Sequence, residues 1–144
     1  LGDVYKRQIY SNGHLVLLNR YLDDTELVGL IRSSLFVVCP YVDATQSGVI
    51  MSAFALNKPV IATNVGALPS MVKNGQYGTI VPPRDVTSLA TAINTLIEDP
   101  QEIEAMTENI KHDYSKGKYS WNAIAQSITD IYTKKLSTFG NRNN

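Results

Sequence analysis

Leu35-Phe36-Val37-Val38-Cys39, closed by Pro40, and then Asp43-Ala44-Thr45-Gln46-Ser47-Gly48 ahead of a helix from Val49 to Leu56, set the fold of this chain. The first run is β-branched and apolar and reads as a buried strand stopped by proline. Asn57 follows the helix as a left-handed cap, and Pro59-Val60-Ile61-Ala62 reads as a second short strand. Between strand and helix, the small hydroxyl and amide residues leave the first backbone N–H groups of the helix without an intrahelical acceptor. With the positive end of the helix dipole, those donors make an anion site suited to phosphate. The competing reading is an ordinary N-cap that satisfies its own helix.

The next loop, Thr63-Asn64-Val65-Gly66-Ala67-Leu68-Pro69, decides between them. It too follows a buried strand directly. Gly66 permits a backbone geometry or close approach that a side chain blocks, and Pro69 suits the first turn of a helix. Adjacent strand-to-helix turns built for backbone exposure belong at the carboxyl edge of a parallel sheet, where open α/β sheets bind ligands.

The remaining pattern extends this unit in both directions. Leu15-Val16-Leu17-Leu18 predicts a strand, followed by a helix capped by Asp23 with Glu26 as capping-box partner and Leu27, Leu30 and Ile31 inward. A short helix near Pro69 to Lys73 ends at Asn74-Gly75, and Thr79-Ile80-Val81 forms a fourth strand. Asp85 caps a helix with core residues Leu89, Ile93, Leu96 and Ile97. Asp99, with Pro100 at the first helical position and Glu102 three residues on, caps another that buries Ile103, Met106 and Ile110. Ser120 opens the last, with Trp121, Ile124, Ile128 and Ile131 on one face read as core. Strands alternating with helices imply a parallel, Rossmann-like α/β sheet with right-handed crossovers. A four-stranded sheet leaves its edges open unless more strands precede residue 9.

Composition bounds the function classes. The chain has 144 residues and zero formal net charge, which gives no electrostatic basis for nucleic-acid binding or for an anionic membrane surface. No apolar run approaches a membrane span. The single cysteine, Cys39, excludes an internal disulfide, fits a reducing, cytoplasmic compartment, and reads as a small core residue at a strand end. His14 and His112 stand apart from other ligating residues, so no metal site is expected. Asp3-Val4-Tyr5-Lys6-Arg7-Gln8 is similar to the in-frame translation of a transposon end used in preparing sequencing libraries. Residues 1–8 are therefore set apart, residues 9–137 taken as a partial domain, and residues 138–144 as a disordered tail.

From about His14 to Tyr132 the chain resembles the C-terminal, donor-binding domain of GT-B-fold glycosyltransferases of family 4 (group 1). Asn19-Arg20-Tyr21-Leu22-Asp23 with Leu27-Val28-Gly29-Leu30 is similar to the family's strand, nucleobase loop and helix. Phe36 to Tyr41, Thr45-Gln46-Ser47-Gly48, Ala53-Phe54-Ala55, Lys58 to Thr63, Val65-Gly66 and Leu68-Pro69 resemble its central signature. Gly75, Gly78, Val81-Pro82-Pro83, Asp85 and Ser120-Trp121 match its closing turn and last helix. The resemblance implies transfer of a sugar from a nucleotide-diphosphate-sugar donor to an acceptor hydroxyl, usually with retention, in polysaccharide or glycolipid synthesis. It requires neither cofactor nor metal. It implies Thr45, Gln46, Ser47, Gly48 and Gly66 at the donor phosphate and sugar, and Tyr21, Leu22 and Ser52 at the nucleobase and ribose.

The family typically carries two glutamates eight positions apart here, and the matching positions are Ala44 and Ser52. Another common glutamate, after Leu-Pro, is Ser70, and Asp43 is the candidate donor-side carboxylate. The family's glycine-rich loop, basic donor clamp and N-terminal acceptor domain are partners expected outside this segment, which by itself should be inactive. Peripheral membrane contact, where the family shows it, comes through that other half. Two further readings are a degenerate nucleotide-sugar-binding module, motivated by Ala44, Ser52 and Ser70, and an epimerase relative, disfavoured because only Asp43 supplies acid–base chemistry nearby.

Overall fold

The computed structural model describes residues 16–140, with side chains through residue 135. The adapter-like segment 1–8, His14, Leu15 and the polar end Asn141 to Asn144 lie outside the described residues. The elements in order are α1 (Asp24–Ser33), β1 (Val37–Cys39), α2 (Gly48–Ala55), β2 (Val60–Thr63), α3 (Leu68–Val72), β3 (Gly78–Val81), α4 (Val86–Glu98), α5 (Pro100–Lys111), a π-helical turn His112–Lys116, and α6 (Trp121–Gly140).

Among the described residues the sheet has three parallel strands in the order β1-β2-β3. Val37 pairs with Val60 and Cys39 with Ala62 on one side, and Val60 pairs with Gly78 and Thr63 with Val81 on the other. Every residue of the central strand β2 is buried, as its unbroken apolar run requires of a strand covered on both faces. Alternation then sorts the core into two halves. Val37, Cys39, Val60 and Ala62 face α1, α2 and α3 through Ile31, Ile50, Phe54, Leu68 and Val72. Val38, Ile61 and Val81 face α4 and α5 through Ala92, Leu96 and Met106. Truncating a fully buried residue such as Ile61 to alanine would cost about 2–5 kcal/mol.

The helix signals are realised closely. Asp23, Asp85 and Asp99 cap α1, α4 and α5 by accepting backbone N–H groups. Asn57 takes the left-handed conformation (φ 57°) that ends α2. The capping box at α1 is half closed, because the Glu26 carboxylate turns to Arg20 at 2.6 and 2.7 Å. Gly78 has no room for a side chain: a Cβ there would stand 1.8 Å from the Val60 carbonyl oxygen.

Several expectations are corrected. Residues 16–18 form no strand, and Val16 and Leu17 are exposed; a short apolar run becomes a strand only where a neighbour accepts its hydrogen bonds. The Trp121, Ile124, Ile128 and Ile131 stripe is not core: Trp121 is 85% exposed and Ile131 60%. Periodicity identifies an apolar face without specifying the surface that receives it. Ile97 is likewise exposed, and Ala92 fills the inward position beside Leu96. Residues 138–140, expected in the tail, continue α6 to Gly140, since neither proline nor glycine interrupts the run before that point.

A polar and aromatic cluster holds the π-helical turn to the core. Phe54, Tyr77, Tyr114 and Tyr119 pack with centroids 4.9–5.7 Å apart. The Tyr77 hydroxyl donates to the Asp113 carboxylate, which His112 Nδ1 also approaches at 3.0 Å. Lys73 donates to Tyr119 at 2.8 Å and lies over both its ring and that of Tyr77. Burial, with the Asp113 hydrogen bond and charge, pushes the Tyr77 hydroxyl up to about 12. The Tyr77 and His112 hydrogen bonds hold the Asp113 carboxyl below its ordinary range.

Two predictions follow from this packing. A carboxyl whose folded value lies below its unfolded one stabilises the fold above about pH 4 and loses that contribution as pH falls through the folded value. Denaturant titrations between about pH 5 and pH 3 should therefore show a steeper loss of stability in the unsubstituted chain than in Asp113→Asn. Separately, Trp121→Lys together with Ile131→Lys should reduce concentration-dependent association in sedimentation velocity while leaving the melting temperature unchanged, because both residues are exposed.

Candidate functional site

The carboxyl ends of β1 and β2 each finish in a three-residue turn, Tyr41 N–H donating to the Cys39 carbonyl and Val65 N–H to the Thr63 carbonyl, both at 2.9 Å. Thr63 Oγ1 donates to the Tyr41 carbonyl at 2.6 Å, tying one strand end to the other. Beyond these ties the two loops meet backbone to backbone. Ala67 N–H donates to the Thr45 carbonyl at 3.1 Å. Gly66 lies at φ 50°, and a Cβ built on it would stand 1.8 Å from the Ala44 carbonyl oxygen. The close approach expected of Gly66 is thus made to a named partner.

The meeting of these loops leaves a cleft of about 460 Å³ lined by Gln46, Ser47, Gly48, Met51, Ala67, Ser70 and Met71. Ser47, 5% exposed, caps α2 by accepting from Ile50 N–H at 3.3 Å, and its Oγ lies 3.2 Å from the Tyr41 hydroxyl. Gly48 N–H and Val49 N–H, the first donors of α2, take no acceptor among the described residues. A Cβ on Gly48 would meet nothing within 4 Å, so the glycine opens space that any other residue would occupy. No lining residue carries a charge, which leaves the dipole of α2 and its first amides as the source of attraction for an anion.

Gln46, Ser47 and Gly48 line this one cleft together with Ala67, the neighbour of Gly66. Thr45 contributes its carbonyl to loop docking, and its side chain is exposed. Asp43 is exposed and is not among the lining residues. Ser52 Oγ donates back to the Gly48 carbonyl at 3.0 Å, one turn into α2. Tyr21, 86% exposed, and Leu22 precede α1 and do not line the cleft; Arg20 donates to the Tyr21 carbonyl at 3.2 Å. Ser70 lines the cleft, with its hydroxyl donating to the Ala67 carbonyl at 2.7 Å. Met51 and Met71 escaped sequence reading, although Met51 shares the helix face of Gly48 and Met71 that of Ala67 at i+3 and i+4 spacing. Among the described residues no group of His, Cys, Asp and Glu could hold a metal ion, and no helix is long and apolar enough to cross a membrane.

Parallel strands with helices on both faces and a cleft at the strands' carboxyl edge define a Rossmann-like α/β domain of the kind found in GT-B glycosyltransferases. The family model of glycosyl transferases group 1 matches residues 3–99, and the chain belongs to that family. Sucrose-phosphate synthase from Thermosynechococcus elongatus shares the fold at a TM-score of 0.64 and 29% identity, over 81% of this chain and 29% of that one. HepE of Anabaena, solved in complex with UDP, aligns at a TM-score of 0.63 and 26% identity, over 73% of this chain and 29% of its own. The same protein in complex with UDP-glucose aligns at 0.64 and 25%, covering 76% and 30%. Glycogen synthase of Mycobacterium tuberculosis is 29% identical over 112 residues, which is 78% of this chain and 27% of that protein. The chain thus spans between a quarter and a third of the length of these relatives.

Gly66→Ala tests the loop docking. The positive φ and the absence of space against Ala44 together predict a destabilisation of about 2 kcal/mol or more, read as a lowered denaturation midpoint. Gly48→Ala should leave the midpoint within about 0.5 kcal/mol, since its new methyl group meets open space.

Proposed function

We propose that this chain supplies the donor-binding side of a retaining glycosyltransferase that moves a sugar from a nucleotide-diphosphate-sugar to an acceptor hydroxyl in polysaccharide or glycolipid synthesis. The observation that carries this reading is the uncharged cleft at the start of α2, whose first donors, Gly48 N–H and Val49 N–H, take no acceptor among the described residues. The barrier to such a transfer lies largely in the departing nucleoside diphosphate, which gathers negative charge as the glycosidic bond breaks. Backbone donors fixed before the reaction stabilise that charge without reorganisation and without a metal. UDP and UDP-glucose bound by a relative of the same fold support a nucleotide-sugar as the ligand class.

In this reading Gln46, Ser47 and Gly48 hold the diphosphate and sugar, with Thr45 and Gly66 shaping the loops and Ser52, Tyr21 and Leu22 toward ribose and base. Cations and an acceptor site come from the rest of the enzyme, so the 144-residue chain alone is catalytically silent. The complete enzyme is cytoplasmic and engages a membrane surface, if at all, through its other half.

The absence of any carboxylate among the cleft's lining residues favours a second reading, a nucleotide-sugar-binding module that has lost catalysis. Ala44, Ser52 and Ser70 replace the acidic residues that the family resemblance leads one to expect.

Titrating UDP into the isotopically labelled chain tests the primary claim. Binding with a Kd on the order of millimolar should shift the Gly48 and Val49 amide resonances, and Gly48→Val should abolish those shifts without lowering the melting temperature. Unperturbed amides at saturating UDP would reject the donor-site assignment. Sugar transfer by the complete enzyme would dismiss the non-catalytic reading.

A further inference from the structure

Resting on that reading of the cleft, we propose that Tyr41 is a positioning residue: its hydroxyl fixes Ser47 so that one serine oxygen caps α2 and donates its proton to the donor diphosphate. Tyr41 itself does not line the cleft.

A serine hydroxyl has one proton and two lone pairs. Ile50 N–H occupies one lone pair of Ser47 Oγ, and the Tyr41 hydroxyl lies 3.2 Å from the same atom. If Ser47 donates to Tyr41, its only proton is spent inside the protein and the cleft receives only an oxygen that repels phosphate. If Tyr41 donates to the second lone pair, the serine proton has no remaining internal acceptor and turns to the cleft that Ser47 lines. A diphosphate oxygen, an acceptor without protons, selects the second arrangement. The two hydroxyls then polarise one another, strengthening the terminal bond to the ligand.

The surroundings of Tyr41 hold its hydroxyl beside Ser47. Its side chain packs against the main core cluster, which restricts where the ring can place its hydroxyl. Burial raises the Tyr41 hydroxyl above its ordinary range. Its backbone is held at both ends: the carbonyl accepts from Thr63 Oγ1 at 2.6 Å, and the N–H donates to Cys39 at 2.9 Å. Tyr41 thus connects the ends of both strands to the first turn of the helix that faces the ligand.

The test compares UDP with uridine, which lacks the phosphates, on the labelled full chain and its Tyr41→Phe, Ser47→Ala and doubly substituted forms. Tyr41→Phe should weaken UDP binding about three- to ten-fold, the range of one hydrogen bond, and leave uridine affinity unchanged. The double variant should bind UDP no more weakly than Ser47→Ala alone. Thr63→Val, which keeps side-chain shape and removes the tether to the Tyr41 carbonyl, should weaken UDP in the same phosphate-dependent way; it serves if Tyr41→Phe does not fold. Equal losses for UDP and uridine, additive effects, or unchanged UDP affinity in Tyr41→Phe or Thr63→Val would overturn the positioning role while leaving the donor site standing. Failure of the unsubstituted chain to bind UDP would overturn both.

Discussion

The rest of the molecule depends on the complete burial of Val60 to Thr63 between two layers of helices, with hydrogen-bonded strands on either side. A strand in that position has no freedom of register, because a shift of one residue would exchange the faces of Val60, Ile61 and Ala62. Fixing β2 fixes the point at which the chain leaves the sheet. Thr63 is the last residue of that strand, and its hydroxyl reaches across to the Tyr41 carbonyl at the end of β1. The carboxyl edge is therefore a rigid shelf from which the two loops spring, and Gly66 allows those loops to touch at their backbones.

What the shelf carries is chemically sparse. The cleft has small, hydroxyl, carboxamide and thioether side chains, no charge, and a helix start whose first N–H groups take no acceptor among the described residues. In the proposed reading, such a surface takes an anion whose countercharge comes from outside these lining residues. Ser47 shows the tension between structural and functional use of one atom. Its oxygen caps α2, as any helix-opening serine does, and lies 3.2 Å from the Tyr41 hydroxyl. Capping and ligand binding are compatible here because a hydroxyl can accept and donate at once.

Far from the shelf, the Tyr77–Asp113 hydrogen bond and the rings around it anchor the π-helical turn between α5 and α6. Nothing in the local pattern announces this cluster. Tyr77 and Asp113 are thirty-six residues apart, and Tyr77 follows the Asn74-Gly75 turn, which reads only as a stop signal. The apolar face of α6, by contrast, was plain in its spacing and is nevertheless uncovered among the described residues, with Trp121 the most exposed of its members.

The sequence by itself determined the parallel α/β architecture, the aspartate caps of α1, α4 and α5, the left-handed Asn57, and the place of Gln46, Ser47 and Gly48 at a strand-to-helix junction. These are properties of local spacing and backbone chemistry, which the chain states within a few residues. Tertiary structure decided that Val16 to Leu18 would not form a strand, that α6 would leave its stripe exposed among the described residues, and that Ala44 would be the partner of Gly66. It also decided that Met51, Ala67, Ser70 and Met71 would complete the cleft. Each of those outcomes depends on which surface meets which, and periodicity encodes the apolar face of an element without naming what covers it.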